Sequence, residues 1–367
     1  MTAPLAAILA ERRRRVATLQ QKLKAKRLGA LLVYDRFNTF YLTGLHCSLS
    51  YLLITPREAV LFVDGRYIEV ARATVTHLDV RLMTNHTKTF AALQREFNLR
   101  EVGFEGSTPW SVLQTWQQQI ANAQWHEAGD LMLDQRLIKS PYEARLIEAS
   151  ARLNDRIYAQ ALAAVHAGAT EIELRNVIRR AADDAGAEGL SFDSIVAAGA
   201  MSARPHYDPQ DRPLEPNHLL LIDMGMLLNS YCSDMTRVVA LGNKLKPRLR
   251  KIYDAVLTAE QAALDAVGPG VPCVELDRIA RESLRARRLH RYFTHGLGHG
   301  VGLEIHEAPT LNSRSTTTLR PGMVITIEPG VYIPGLGGVR IEDLVLVTKT
   351  GKKILSHSPK PLQLLPL

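Results

Sequence analysis

The chain has 367 residues, 46% hydrophobic and 22% charged, with a formal net charge of +8, which suggests two domains around a substantial core. The charge is spread out except for the run Arg12–Arg15, which reads as the solvated face of a helix; with no recognisable module beside it, nucleic-acid binding is excluded. No run reaches the roughly 18 apolar residues of a membrane span.

In chain order, the opening MTAPLAAILAERRRR places its apolar residues before its positive charge, the reverse of a secretory leader. Residues 4–27 predict a helix, GALLVYD at Gly29–Asp35 a strand, and YLLITP with AVLFVDG a strand pair turning at Pro56–Glu58. RYIEVARA and KTFAALQREF read as helices and EVGFEG as another buried strand, an α/β pattern that runs to about residue 125. Ser140 and Pro141 then form a helix start, an N-cap followed by proline at the first helical position. Leu146, Ile147, Leu153, Ile157 and Leu162 continue at helical spacing. A second helix starts at Thr170 and stops in the Gly186–Gly189 region. The domain boundary is set near residue 133. Cys47, Cys232 and Cys273 are scattered, with no C-x-x-C pair, which argues against disulfides and thiolate zinc and for a reducing cytoplasm.

Beyond residue 218 the chemistry becomes specific. In LLLIDMGMLLNSYCSDMTR an apolar run ends on Asp223 and a second carboxylate, Asp234, follows eleven residues later. VITIEPG with GVRIEDLVLV repeats the plan with Glu328 and Glu342. If each is a hairpin, a loop centred on Leu228 and Asn229 sets Asp223 opposite Asp234, and one centred on Gly335 sets Glu328 opposite Glu342. Opposite residues share a sheet face, so four carboxylates would cluster. At 4 Å two unit charges repel by about 4 kcal/mol at an effective dielectric near 20, so protons or cations must intervene. Two divalent ions would balance four carboxylates, a device used for hydrolysis. Nitrogen ligands are at hand in THGLGHGVGLEIHEAP, where His295, His299 and His306 fall within twelve residues among glycines. H-E-x-x-H fails because residue 310 is Thr, and no dinucleotide fingerprint, P-loop or G-x-S-x-G is present.

These stretches resemble the creatinase/aminopeptidase P/prolidase family of pita-bread metallopeptidases. The first domain is similar through FYLTGLHCSLSYLLITPREAVLFVDGRY, the second through RLIKSPYEARLIEAS, IDMG, YCSDMTR, GHGVGLEIHE, EPGVY and GVRIEDLVLVT, and the whole looks like short bacterial Xaa-Pro peptidases. The resemblance implies an α/β (α+β) chain: an N-terminal creatinase-like α/β domain over 1–133, then a pita-bread catalytic domain with a curved antiparallel sheet over 134–367. It implies that Asp223, Asp234, His299, Glu328 and Glu342 hold two divalent metal ions, with Asp234 and Glu342 bridging. Mostly oxygen ligands with one imidazole suit Mn²⁺, with Co²⁺, Zn²⁺ or Fe²⁺ as alternatives.

It further implies active-site roles for His206, His295, His306 and Arg340, with Glu328 doubling as proton shuttle while a hydroxide between the metals attacks the scissile carbonyl. Ser233 and Thr236 are candidate donors to the carboxylates. Around His206 the chain departs from the family: Arg204-Pro205-His206-Tyr207 stands where many short relatives have Leu-Pro-His-Gly. The expected activity is exopeptidase cleavage between an N-terminal residue and a following proline, in di- or oligopeptides, by a cytoplasmic homodimer. A methionine-type aminopeptidase and a non-catalytic binding protein on the same scaffold are the alternatives; the complete ligand set argues against the second.

Overall fold

The computed structural model describes residues 5–367. Helices and strands are both abundant, as expected, and the chain divides into two compact units, Met1–Arg136 and Leu137–Leu367.

The N-terminal unit is a six-stranded mixed sheet. Its strands are β1 (Ala30–Val33), β2 (Ser50–Ile54), β3 (Ala59–Val63), β4 (Asp79–Leu82), β5 (Glu101–Phe104) and β6 (Gln124–Glu127), in the order β4-β3-β2-β1-β5-β6. The first helix spans Leu5–Lys26; Pro4, its expected first residue, lies outside the described residues. The basic run on this helix is only partly a solvated face. Arg13 and Arg14 are exposed, but Arg15 turns inward, donating to the Tyr41 carbonyl at 2.7 Å and lying 3.9 Å over the Tyr41 ring. One short helix, Arg36–Thr43, was not anticipated; Asp35 caps it by accepting from the Phe37 and Asn38 N–H groups.

In the second unit both anticipated helix starts carry full capping boxes. Ser140 and Glu143 start Pro141–Ala163, and Thr170 and Glu173 start Glu171–Asp184. Two further helices, Pro247–Ala266 and Cys273–Ala286, pack against each other. The strands fall into sheets of three, four, five and two, antiparallel throughout except where Met235–Leu241 meets Leu364–Leu365.

Strand Leu219–Met224 shows why the run before Asp223 does not alternate. Leu219 and Leu221 join the core under helices Pro247–Ala266 and Cys273–Ala286, while Leu220, Ile222 and Met224 join the core under Pro141–Ala163 and Glu171–Asp184. A strand covered on both faces is apolar at every position.

One expected register is wrong. Asp223 pairs with Thr236, not with Asp234. The loop consists of Asn229 and Ser230, between the pair Leu228 and Tyr231, with both residues left-handed at φ 50° and 66°. A two-residue hairpin needs that handedness twice over, which moves the turn one residue beyond its expected centre. Each partner therefore shifts by two, and because side chains alternate with period two the carboxylates keep a common face. The second hairpin follows the expected register: Ile327 pairs with Asp343 and Gly330 with Arg340, with left-handed Gly335 in the loop.

Candidate active site

Within the second unit, a cleft of about 740 Å³ gathers the expected metal ligands and catalytic residues: Asp223, Asp234, Glu328, Glu342, Arg340 and the histidines 206, 295, 299 and 306. Asp223 is next to last in Leu219–Met224, Asp234 precedes Met235–Leu241, and His299 is central in Gly298–Gly300. Glu328 follows Val324–Ile327 and Glu342 precedes Asp343–Val347, so strand ends aim the four carboxylates.

Asp234, His299 and Glu342 form the tightest group, with one ligand atom from each lying within 4.8 Å of the others. His299 Nε2 is 3.6 Å from Asp234 Oδ2 and 3.4 Å from Glu328 Oε1. Asp223 joins through Arg340, whose Nη2 donates to Asp223 Oδ2. Arg340 Nε also donates to Thr236 Oγ1 at 3.0 Å, and the Thr236 hydroxyl donates to Glu342 Oε2 at 2.6 Å.

The electrostatics of this arrangement are unbalanced. Four carboxylates face one guanidinium. Burial, then the charges of Glu342, Asp223 and Glu328, hold the Asp234 carboxyl well above the usual range. Burial, then Glu328 and Asp223, does the same to Glu342. Glu328 is lifted to about 7 by burial, with Arg340 pulling it down and Asp223 pushing it up. Asp223 Oδ1 is buried without a hydrogen-bond partner. Burial depresses His299 to about 4, leaving a neutral imidazole at neutral pH. Its Nδ1 lies 3.0 Å from the Gly300 carbonyl, which can only accept, so Nδ1 carries the proton and Nε2 turns its lone pair to the carboxylates. An orphaned carboxylate oxygen, surplus negative charge and a free imidazole lone pair fit divalent cations.

The outer groups sort themselves by hydrogen bonding. His295 Nδ1 donates to the Gly296 carbonyl at 2.8 Å, so Nε2 accepts from Tyr332 Oη at 2.9 Å. Tyr332 Oη in turn accepts from Arg340 Nη1 at 2.8 Å. His295 therefore reaches Asp223 through Tyr332 and Arg340, and Tyr332 is a site residue that the sequence did not single out. His306 is exposed, its ring edge-on to His299 with centroids 4.4 Å apart. Thr236 meets its expectation as a donor, but Ser233 does not: its hydroxyl accepts from the Met226 N–H at 3.0 Å and so ties one strand end to the other. Thr326 was also missed. Its hydroxyl accepts from the His299 N–H at 3.1 Å and donates to Glu328 Oε1 at 3.2 Å.

The glycines around His299 have a steric reason. A Cβ at Gly298 would strike the Thr326 carbonyl oxygen, on the strand that carries this hydroxyl. Gly298→Ala is therefore expected to cost about 1–3 kcal/mol, the scale of an overpacked core, read as a lower urea midpoint at unchanged slope. A midpoint equal to the parent's would show that the two strands separate freely.

Buried carboxylates and a neutral imidazole gathered by antiparallel strands form a site suited to divalent metal ions. Residues 145–349 match metallopeptidase family M24 and residues 15–138 match the creatinase/prolidase N-terminal domain. An Xaa-Pro dipeptidase of Pyrococcus horikoshii is 35% identical over 336 residues, covering 91% of this chain and 94% of its own length. Among solved structures, an Xaa-Pro dipeptidase from Bacillus anthracis aligns with a TM-score of 0.93 at 32% identity, covering 96% of this chain and 99% of that one. An X-Pro aminopeptidase from Thermotoga maritima aligns at 0.86 and 28% identity, covering 93% and 99%. The chain belongs to metallopeptidase family M24, with the pita-bread catalytic fold and the creatinase-like N-terminal domain. It is a hydrolase that uses divalent metal. Among the described residues, no helix is long and apolar enough to cross a membrane.

Proposed function

We propose that the protein is a metal-dependent exopeptidase that hydrolyses the bond between an N-terminal residue and a following proline in di- or oligopeptides. The observation that carries this reading is the convergence of Asp223, Asp234, His299, Glu328 and Glu342 on one cleft, in a chain whose relatives named Xaa-Pro dipeptidase and X-Pro aminopeptidase align along nearly its full length. In this reading the five residues hold two divalent ions, Mn²⁺ by preference over Co²⁺, Zn²⁺ or Fe²⁺, with Asp234 and Glu342 shared between them. Ions so held would supply an activated water at neutral pH and a Lewis acid for the scissile carbonyl.

The chain's own groups do the rest. A prolyl bond has a tertiary amide, so the ring nitrogen must gain a proton as it leaves. Glu328 is the carboxylate assigned to deliver it. His206 and His306 donate hydrogen bonds to the carbonyl oxygen and the leaving side as charge develops. Arg340 holds Asp223, and His295 holds Arg340 through Tyr332. A pocket fitted to a proline ring provides no acceptor for an amide N–H. A second residue other than proline would then bury an unpaired donor, at about 1–3 kcal/mol, or roughly 5–150-fold in specificity. The proposal includes a domain boundary near residue 133, a homodimer and a cytoplasmic location.

The test combines metal and substrate. Purified protein should bind close to two Mn²⁺ per chain, lose activity to a chelator and regain it with Mn²⁺ or Co²⁺. It should also cleave Ala-Pro-Ala or Met-Pro faster than Met-Ala-Ser. No bound ion at saturating Mn²⁺ would sink the metal reading. Faster turnover of Met-Ala-Ser than of both prolyl peptides would replace it with a methionine-type aminopeptidase.

A further inference from the structure

Behind the cleft lies a second charged cluster that does not line it. Arg237 and Asp343 pair at 2.6 Å, Lys360 reaches Asp343 at 2.7 Å, and the same ammonium reaches Glu260 at 2.7 Å. Arg237, Asp343 and Glu260 are at most 2% exposed. Two cations face two carboxyl groups, of which Glu260 is lifted to about 8 by burial and then by the Asp343 charge. Buried ion pairs are a weak route to stability, since desolvation offsets their attraction and apolar packing often serves as well. The arrangement is better explained by what Arg237 holds with its other donors. Its Nη1 donates to the main-chain carbonyl of Glu342 at 2.5 Å and to that of Thr236 at 3.0 Å. These are the two residues joined by the 2.6 Å hydroxyl-to-carboxylate bond inside the site. No apolar side chain can hold two carbonyl oxygens.

The far side of Arg237 is fixed as well. Its Nε donates to the Ser358 carbonyl at 3.0 Å. Ser358 is pinned in turn by Asp155 of helix Pro141–Ala163, which accepts from the Ser358 N–H at 2.7 Å and its hydroxyl at 2.6 Å. Tyr253 donates to the Lys360 carbonyl. The segment around Ser358 and Lys360 thus closes the cluster from below.

We infer that Arg237 is a positioning residue for the metal centre: from a buried cluster completed by Asp343, Lys360 and Glu260, it fixes the backbone of Glu342 and Thr236 and so the aim of the Glu342 carboxylate. The inference rests on the proposed ligand role of Glu342. None of the four residues lines the cleft, so any effect on the metals passes through Glu342 and Thr236.

The test is Mn²⁺ affinity, by competition with a chelator, for the parent, Arg237→Lys, Lys360→Met and Lys360→Met/Glu260→Gln, together with the Tm of each apoprotein. Arg237→Lys keeps the charge but loses the planar fork that reaches the two carbonyls, the Ser358 carbonyl and Asp343 at once. Its affinity should fall about 10–100-fold, the scale for groups that orient metal ligands. Lys360→Met removes the ammonium held between Asp343 and Glu260 and should fall similarly. The double variant removes the unfavourable pairing of Glu260 with Asp343 and should return to within about threefold of the parent, although it lacks the same ammonium. Should Lys360→Met fail to fold, the double variant and Arg237→Lys still decide the matter. Lower apoprotein Tm values with parental Mn²⁺ affinity in Arg237→Lys and Lys360→Met would make the cluster purely structural and overturn the inference. A parent that binds no Mn²⁺ would instead fail the metal reading, and this inference with it.

Discussion

Alanine at Asp234 or at Glu342 is expected to abolish peptidase activity and to leave close to one divalent ion per chain where the parent binds two. Both side chains are buried, 5% and 2% exposed, and both belong to the group whose ligand atoms lie within 4.8 Å of one another with His299. A shared carboxylate has no understudy: removing it leaves an ion short of a ligand and restores none of the charge balance on the other. The same change should have the opposite effect on the empty protein. Each of these carboxyls is held above its ordinary range by burial and then by neighbouring carboxylates. The folded apoprotein therefore binds more protons than the unfolded chain near neutral pH, so its stability falls as pH rises through that range. Asp234→Asn, which keeps the volume and loses the charge, should make the apoprotein more resistant to urea at pH 7 while making the Mn²⁺-loaded protein less so. Metal content by elemental analysis and paired urea curves with and without Mn²⁺ check both halves. Two ions still bound in Asp234→Ala and Glu342→Ala would remove these residues from the bridging role.

That crossing of stabilities also marks what could be read in the sequence. The four carboxylates were legible because parity survives a slip of two residues: Asp223 pairs with Thr236 rather than Asp234, yet the cluster forms. The turn itself was misplaced because its handedness resides in Asn229 and Ser230, neither of them a glycine. Helix starts at Ser140 and Thr170 were legible because capping is local chemistry, settled within four residues. Tyr332 and Thr326 were not, since a buried hydroxyl advertises nothing until its partner is known. For Tyr332 that partner is Arg340, and for Thr326 it is Glu328. Arg237 was hidden for the same reason: its pairing with Asp343 spans 106 residues, and no periodicity carries information over that distance. The departure at Tyr207 gains a meaning only in three dimensions, where its side chain is buried while that of its neighbour His206 is exposed in the cleft.

His206→Ala should leave both ions bound and lower kcat/KM by about 10²–10³-fold, the scale for losing a donor to developing charge. The expectation depends on His206 being held, because an exposed side chain on a loose loop would contribute little. Its loop is firmly anchored. Tyr207 Oη donates to Glu171 Oε2 at 2.7 Å, and the Gln210 N–H donates to the same oxygen at 3.1 Å. The other oxygen of Glu171 accepts from the Ala198 N–H at 2.8 Å. One buried carboxylate at a helix start thus fastens the chain on both sides of His206, while Arg340 Nη1 approaches the Pro205 carbonyl at 3.4 Å. The backbone that carries the imidazole is thereby fixed at the cleft, which helps to place a transition-state donor. The loss should appear mainly in kcat, since a group that acts on developing charge adds little to ground-state binding. Tyr207→Phe, which frees one side of the loop but keeps the imidazole, should give a smaller loss of the same kind. Steady-state kinetics with Ala-Pro-Ala at saturating Mn²⁺, alongside metal analysis of each variant, separates the outcomes. Loss of an ion from His206→Ala would make it a ligand, and a loss in kcat/KM below about threefold, far under the donor scale, would remove it from the reaction.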